Sequence, residues 1–319
     1  MKVQQLRYFV SVADKGSVRA AADSLGVSPA AVSQALRELE ASLDTPLLTR
    51  EAQGSVPSFA GRQLLIHARL ILGQVARAEE EIAQIRGLAG GHINIGVTPW
   101  VSQSILPHAL ARFRALRPEI RINVHETLGC AHPALRDGTL DLVIGRPPPA
   151  HLYSSFHARD IFRCALGVIS RLGHPLASST SLRDLGGQDW VLTMAADELA
   201  EPLAELLRPY GVEPRPEHIH FAQSAFIAIS MLEVGNMLTM CPWPLIESPL
   251  LRERVHALPI REKLPELTTS IVFRRSDTLS AAVQQFLECF DTATASCLES
   301  GEPALKRIMN SVEPLPALR

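Results

Sequence analysis

The stretch SVRAAADSLGVSPAAVSQALRELEASLDTPLLTR, residues 17 to 50, reads as two short helices joined by a tight turn at Gly26, and it constrains the chain more than any other feature. In the second helix Val32, Leu36, Leu39 and Leu43 recur at helical spacing and pack inward. Ala30, Ser33, Gln34 and Arg37 fall on the opposite side, so small and hydrogen-bonding residues face out where a surface helix usually carries dense charge. Ahead of it Leu6, Phe9, Val10 and Ala13 follow the same period, Gly16 ends the pattern, and Ser17 is placed to cap the next helix. Three helices then share one small core. After Pro46 a Gly54 turn lies between short extended pieces, which predicts a wing, and Ser58 is placed to cap a long helix beginning at Phe59.

A second signal is a heptad seam, because Leu64, Ala68, Ile71, Val75, Ala78, Ile82 and Ile85 step alternately by four and three residues. No proline stands between Phe59 and Arg86, so the economical reading is one helix over 59–88, reaching roughly 40 Å at about 1.5 Å per residue. A helix-turn-helix followed by a dimerising helix makes physical sense, since dimers present two such helices to half-sites one DNA turn apart. Candidate DNA contacts are Arg19, Ser28, Pro29, Ala30, Ser33, Gln34, Arg37 and Arg50, with Lys2, Arg7 and Arg62 as further phosphate donors.

Residues 1 to 91 carry ten Lys and Arg against nine Asp and Glu, so phosphate affinity has to come from placement and helix N-termini, not from bulk charge. The 319 residues, 46% apolar and 20% charged, suit two or three globular domains. The N-terminus lacks a signal-peptide core, and the apolar stretch from Phe221 to Ile246 is broken by Gln223, Glu233, Asn236 and prolines, which argues against export and membrane insertion. The five cysteines show no CxxC spacing, as expected of reduced thiols in a cytoplasm.

The run AADSLGVSPAAVSQALRELEASLDTPLLTR, with Gly54, Val56, Ser58, Ala60 and Gly61 after it, resembles the winged helix-turn-helix of LysR-type transcriptional regulators. The chain departs from the family at Pro29 and Ala30, where Gln and then Pro or Ser are frequent, and at Glu51, Ala52 and Gln53, where basic residues are usual. The resemblance extends over about residues 2 to 295 and implies a winged domain (1–58), a dimerising linker helix (59–88) and a two-lobed effector domain (89–296), with an extension (297–319) beyond it. The lobes would use 92–162 with 268–296, and 163–267, in an arrangement similar to periplasmic solute-binding proteins.

From Ile93 onward strand-like runs alternate with helical segments, which argues for α/β lobes with largely parallel sheets. Ligand would then sit at the carboxyl ends of the strands. The segments arriving there nominate Thr98, Pro99, Trp100, Ser102, Gln103, Gly129, Arg146, Thr193, Met194, Phe221 and Ser224. Hydroxyls, an amide and free N–H groups at the helix after the first strand, with Arg146, suggest a carboxylate or sulfonate; Trp100, Met194 and Phe221 suggest apolar walls. Segments such as HARLI and LRDGTLD resemble the aromatic-acid-responsive branch of the family, similar to toluenesulfonate-type regulators.

The implied partners are double-stranded DNA bearing an interrupted inverted repeat, a small organic acid, RNA polymerase, and further copies of the chain, a homodimer assembling to a homotetramer. No phosphate loop, nucleophile elbow or paired-acid motif is present, so an enzyme is not expected, and no cofactor or metal is expected although His218 and His220 share a strand. Two other readings stay open: a small-molecule-binding protein whose helical part serves assembly only, and a redox-sensing regulator acting through Cys130. A short helix around Ala304 to Met309 is expected in the C-terminal extension.

Overall fold

A computed structural model describes residues 1–51, 54–85, 91–129, 131–193, 201–275 and 279–316. The chain divides into two compact units, Met1–Gly91 with Pro133–Leu140, and His92–His132 with Asp141–Arg319.

In the first unit, α1 (Val3–Lys15), α2 (Val18–Leu25) and α3 (Pro29–Leu43) precede a hairpin of β1 (Leu48–Glu51) and β2 (Gly54–Pro57), and then α4 (Phe59–Ile85). The punctuation is local chemistry. Ser17 accepts from the Ala20 N–H at 3.0 Å to start α2, and Ser28 accepts from the Ala31 N–H at 3.2 Å to start α3, with Pro29 in the first turn where its missing N–H costs nothing. Leu6, Phe9, Val12, Ala21, Val32, Leu36, Leu39 and Leu47 form the core. Two glycines are obligatory. A Cβ on Gly54, at φ 131°, would stand 2.4 Å from the Gly16 carbonyl oxygen, and one on Gly61 would stand 2.0 Å from that of Leu47.

The heptad seam divides on α4. Ala68 is wholly buried in the domain's own core, a correction to its place in the dimer seam, while Leu64 and Ile71 pack against that core and stay half-buried. The seam's periodicity is the same in either role, which is why spacing alone did not separate them. Further along, Ala78 is exposed, Ile82 is 58% exposed, and the side chain of Ile85 lies outside the described residues, as do 86–90 of the expected helix break. Arg69 of α4 forks between Asp14 at 2.6 Å and Asp137 at 2.8 Å, tying α1 and the 133–140 segment within this unit.

After α4 come β3 (His92–Val97), α5 (Pro99–Ser102), α6 (Ile105–Leu116), β4 (Arg121–Glu126), α7 (His132–Arg136), β5 (Leu142–Gly145), β6 (Phe156–Arg171), β7 (Trp190–Leu192), α8 (Glu201–Leu207), β8 (Ile219–Phe221), α9 (Ala225–Gly235), β9 (Thr239–Pro242), α10 (Trp243–Ile246), β10 (Val255–Ala257), β11 (Glu266–Arg274), α11 (Ala281–Leu298), α12 (Pro303–Asn310) and β12 (Val312–Pro314); apart from α7, whose Pro133–Arg136 belongs to the first unit, these build the second unit. Its main sheet runs β10-β6-β11-β5-β3-β4, with β9 and β12 also on β6; β7 and β8 form a separate parallel pair. The fold is α/β, but the expectation of largely parallel sheets fails. Only β3 with β4 and β5, and β7 with β8, pair in parallel, whereas every partner of β6 is antiparallel.

The reason is the length of β6. Sequence periodicity catches Cys164, Leu166 and Val168, while the charged FHARDIFR ahead of them belongs to the same strand. Its first part pairs with β11, and its last part pairs with β9 and β10. One core gathers around β3, α6 and α11, where Phe113 and Phe286 meet edge to face at 5.8 Å, and a second gathers around Val168, Leu182, Trp190 and Leu203. The expected helix in the extension is α12; β12 is a strand the sequence did not announce.

Candidate ligand cavity and nucleic-acid interface

On the outside of α3, Ser28, Pro29, Ala30, Gln34 and Arg37 are exposed and Ser33 is half-buried, with Arg19 exposed on α2. Two of these side chains, Gln34 and Arg37, are already engaged with each other and with Glu38. Arg37 donates to the Gln34 Oε1 at 3.0 Å, Gln34 donates to Glu38 at 2.9 Å, and Gln5 of α1 donates to the other Glu38 oxygen at 3.4 Å. The result is a planar-donor face pre-set in one arrangement and carried by a well-packed helix, the chemistry that reads base edges. Arg50 lies on β1, but its side chain, like Ala52 and Gln53, is outside the described residues.

In the second unit a cavity of about 110 Å³ opens at the carboxyl ends of β3, β4 and β5 and beside the middle of β6 and the start of β11, far more than the roughly 10–15 Å³ that holds one water. Thr98, Pro99, Trp100, Arg146 and Thr193, all nominated from sequence, line it. Trp100 is 1% exposed, donates its Nε1–H to the Thr269 hydroxyl at 3.3 Å and meets Phe162 edge to face at 5.4 Å, so it shapes the wall while held from behind. Arg146 is exposed, without an ion-pair partner among the described residues, and is the one Lys or Arg on the described lining.

Five nominations miss the wall. The Ser102 hydroxyl turns back to donate to the Pro99 carbonyl at 2.6 Å, and Gln103 is exposed. Gly129 gives way to its neighbours Thr127 and Leu128, Phe221 points away at 37% exposure, and Ser224 accepts from the Phe226 N–H as the cap of α9. Most of the N–H groups expected to be free at α5 are also spent: that of Thr98 donates to Ile144 at 2.9 Å, and those of Val101 and Ser102 to Thr98. The start of α9 is occupied as well, by the chain's own Glu126, which accepts from the Ala225 N–H at 2.7 Å. Met194 lies outside the described residues.

The remaining wall went unnoticed in the sequence: Cys164, Leu166 and Ile169 from β6, Ala228, Ile229 and Leu232 from α9, Met240 and Cys241 from β9, and Leu267 to Thr269 from β11. Such residues look like core because they are core on every side but one. Polarity comes from threonines. The Thr127 Oγ1 is buried without a hydrogen-bond partner among the described residues, whereas the Thr239 hydroxyl donates to the Val191 carbonyl at 2.5 Å.

Burial, with the Glu266 carboxylate adding to it, pushes the Cys164 thiol from 9.0 to about 11, and burial pushes Cys241 higher still. Both stay protonated near neutrality, which makes them poor nucleophiles. Cys130 lies outside the described residues. His218 is taken up by Asp189 at 2.5 Å, and among the described residues no group of three or more His, Cys, Asp or Glu is placed to hold a metal. No described helix is long and apolar enough to cross a membrane.

With this geometry in view the comparisons are consistent. Residues 3–62 match the family model described as bacterial regulatory helix-turn-helix protein, lysR family, and residues 86–295 match the LysR substrate binding domain. The HTH-type transcriptional regulator PcaQ of Agrobacterium fabrum is 32% identical over 230 residues, 71% of this chain and 74% of that protein. The HTH-type transcriptional regulator GalR of Pseudomonas putida is 26% identical over 249 residues, 77% of this chain; the chain spans 56% of that relative's length. Full-length CbnR complexed with its target DNA shares the fold at a TM-score of 0.59 and 23% identity, covering 92% of this chain and 100% of that one.

Proposed function

Since the chain belongs to the LysR family, and is thus a DNA-binding transcriptional regulator with a substrate-binding domain, we propose that it answers to a small organic acid with an apolar, aromatic body. The observation that carries this reading is the cavity itself: an apolar box with hydroxyls on its walls and, among the described residues, a single cation, Arg146. The acid group would pair with Arg146 and take a hydrogen bond from Thr127, whose buried hydroxyl otherwise forfeits about 1–3 kcal/mol. The body would lie against Ala228, Ile229 and Leu232. Because the start of α9 is already filled by Glu126, the charge of the ligand would be read at the mouth by Arg146 and its shape in the interior.

On DNA, Ser33, Gln34 and Arg37 would meet base edges while Arg19, Ser28 and Arg50 meet phosphates of an interrupted inverted repeat. The domains would be a winged domain 1–58, a linker 59–88, and an effector domain 89–296 with lobes 92–162 plus 268–296, and 163–267. The dimer would form through the free part of α4, where exposed Ala78 and Ile82 leave apolar surface uncovered, and pair further to a tetramer. Ligand would shift the lobes between two arrangements, altering DNA bend and contact with RNA polymerase in the cytoplasm.

DNase footprinting on the DNA flanking the protein's own gene, with and without a panel of aromatic carboxylates and sulfonates, tests both parts. Protection of a split inverted repeat whose pattern changes with one acid is the expected result. Protection that no acid alters, together with no heat of binding in calorimetry, overturns the ligand reading and leaves the DNA reading standing.

A further inference from the structure

The family match to the substrate-binding domain ends at residue 295, yet the chain continues as ordered structure. α12 buries Leu305, Ile308 and Met309, and β12 buries Val312, all in the main core of the second unit. Where they are placed matters more than that they are packed. In the two-lobed reading proposed above, β6 and β11 are the two strands that pass between the halves, and they run side by side as far as Glu266 opposite Ala165; beyond that point β6 continues to β9 and β10. β12 pairs with Phe162, Arg163 and Cys164, residues that β11 already holds from the other edge. Arg163 lies 3.7 Å from Glu266 of β11 and 3.7 Å from Glu313 of β12, so one guanidinium spans all three strands.

α12 makes the same bridge on a larger scale. It packs on α11, which belongs to the first half, and on α10, which follows β9 in the second; Arg307 reaches Glu247 just past α10 at 3.8 Å. We infer that residues 299–316 form a clamp across the crossing strands and set how far the two halves open around the cavity. The physical argument is the strand count. A two-stranded ribbon twists readily, whereas strands hydrogen-bonded on both edges resist changes in φ and ψ at the residues where a hinge has to absorb them. Opening the halves then requires either stripping β12 from β6 or sliding α12 off one of its two supports.

The buried thiols of Cys164 and Cys241 supply a readout that needs neither DNA nor ligand. Cys241 pairs with Gly167, away from β12, and reacts only when the cavity opens. In the full chain, Glu313→Pro removes an exposed residue's N–H. The Leu315 N–H donates to Ile161, so alternation of the antiparallel ladder assigns the 313 N–H to Arg163. N-ethylmaleimide labelling at fixed pH, followed by peptide mass spectrometry, should show Cys241 reacting at least tenfold faster in this variant, with Cys289 in α11 unchanged. A deletion of residues 300–319 should show the larger increase; if that variant does not fold, Glu313→Pro alone decides.

A Cys241 rate equal to that of the unaltered chain, with faster amide exchange confined to 161–164 and 312–316, overturns the clamp. Failure of every acid to bind in calorimetry would overturn the ligand reading without touching this one.

Discussion

The outer face of α3 and the lining of the cavity, the two surfaces proposed to bind, stand in opposite relations to the hydrophobic core. On α3 the binding side chains face away from Val32, Leu36 and Leu39, so fold and function occupy different faces of one helix. In the cavity they are the same residues: Ile229 and Leu232 are 3% and 0% exposed and belong to the main core while also lining the pocket. An outward site can be changed without disturbing the fold. An inward site trades stability against binding in every substitution.

Three substitutions probe that contrast. Gly61→Ala should have the largest effect, because its Cβ would stand 2.0 Å from a backbone oxygen that cannot move freely. Overpacking of this kind costs about 3 kcal/mol or more. Calorimetric scanning should show the winged unit unfolding early while acid binding in the cavity persists, and loss of both together would mean that the two units share one cooperative fold. Arg37→Ala comes next. A base-reading arginine is worth about 1–3 kcal/mol, roughly a 5- to 150-fold loss of operator affinity by fluorescence anisotropy, and the melting temperature should not move.

Thr127→Val should give the smallest effect and the most instructive one. It removes a buried hydroxyl that lacks a partner, so unfolding in urea should show equal or slightly greater stability, up to about 1 kcal/mol, while affinity for the acid falls several-fold. A drop in stability would instead show that the hydroxyl already has a partner in the folded protein.

The same contrast explains what could be read in the sequence. The three helices, their caps and the outward positions of α3 were legible because an amphipathic helix separates its two jobs by a period of 3.6, and any polar, helix-compatible residue off the apolar stripe is visible. Thr98, Trp100, Arg146 and Thr193 were legible because they follow strand ends. Leu166, Ile229 and Cys241 were not, since an apolar residue facing a cavity has the same neighbours in sequence as one facing another side chain. Ser102 and Ser224 misled for a related reason: a hydroxyl beside a helix start satisfies the local backbone first. β12 escaped because three residues bounded by proline carry almost no period, and α4 shows that a heptad cannot say whether Ala68 packs at home or abroad.

One arrangement on α3 has a kinetic corollary. Gln5, Glu38, Gln34 and Arg37 form a continuous chain of donors and acceptors before any DNA arrives. Under the proposed base-reading role, a sequence that offers no better partners would leave the chain its own bonds, so the protein would pass over wrong sites with little friction. On a sequence whose bases match, Gln34 and Arg37 would exchange internal partners for external ones, and only the difference would be retained as binding. Discrimination built in this way shows itself in how long the protein stays, not in how fast it arrives.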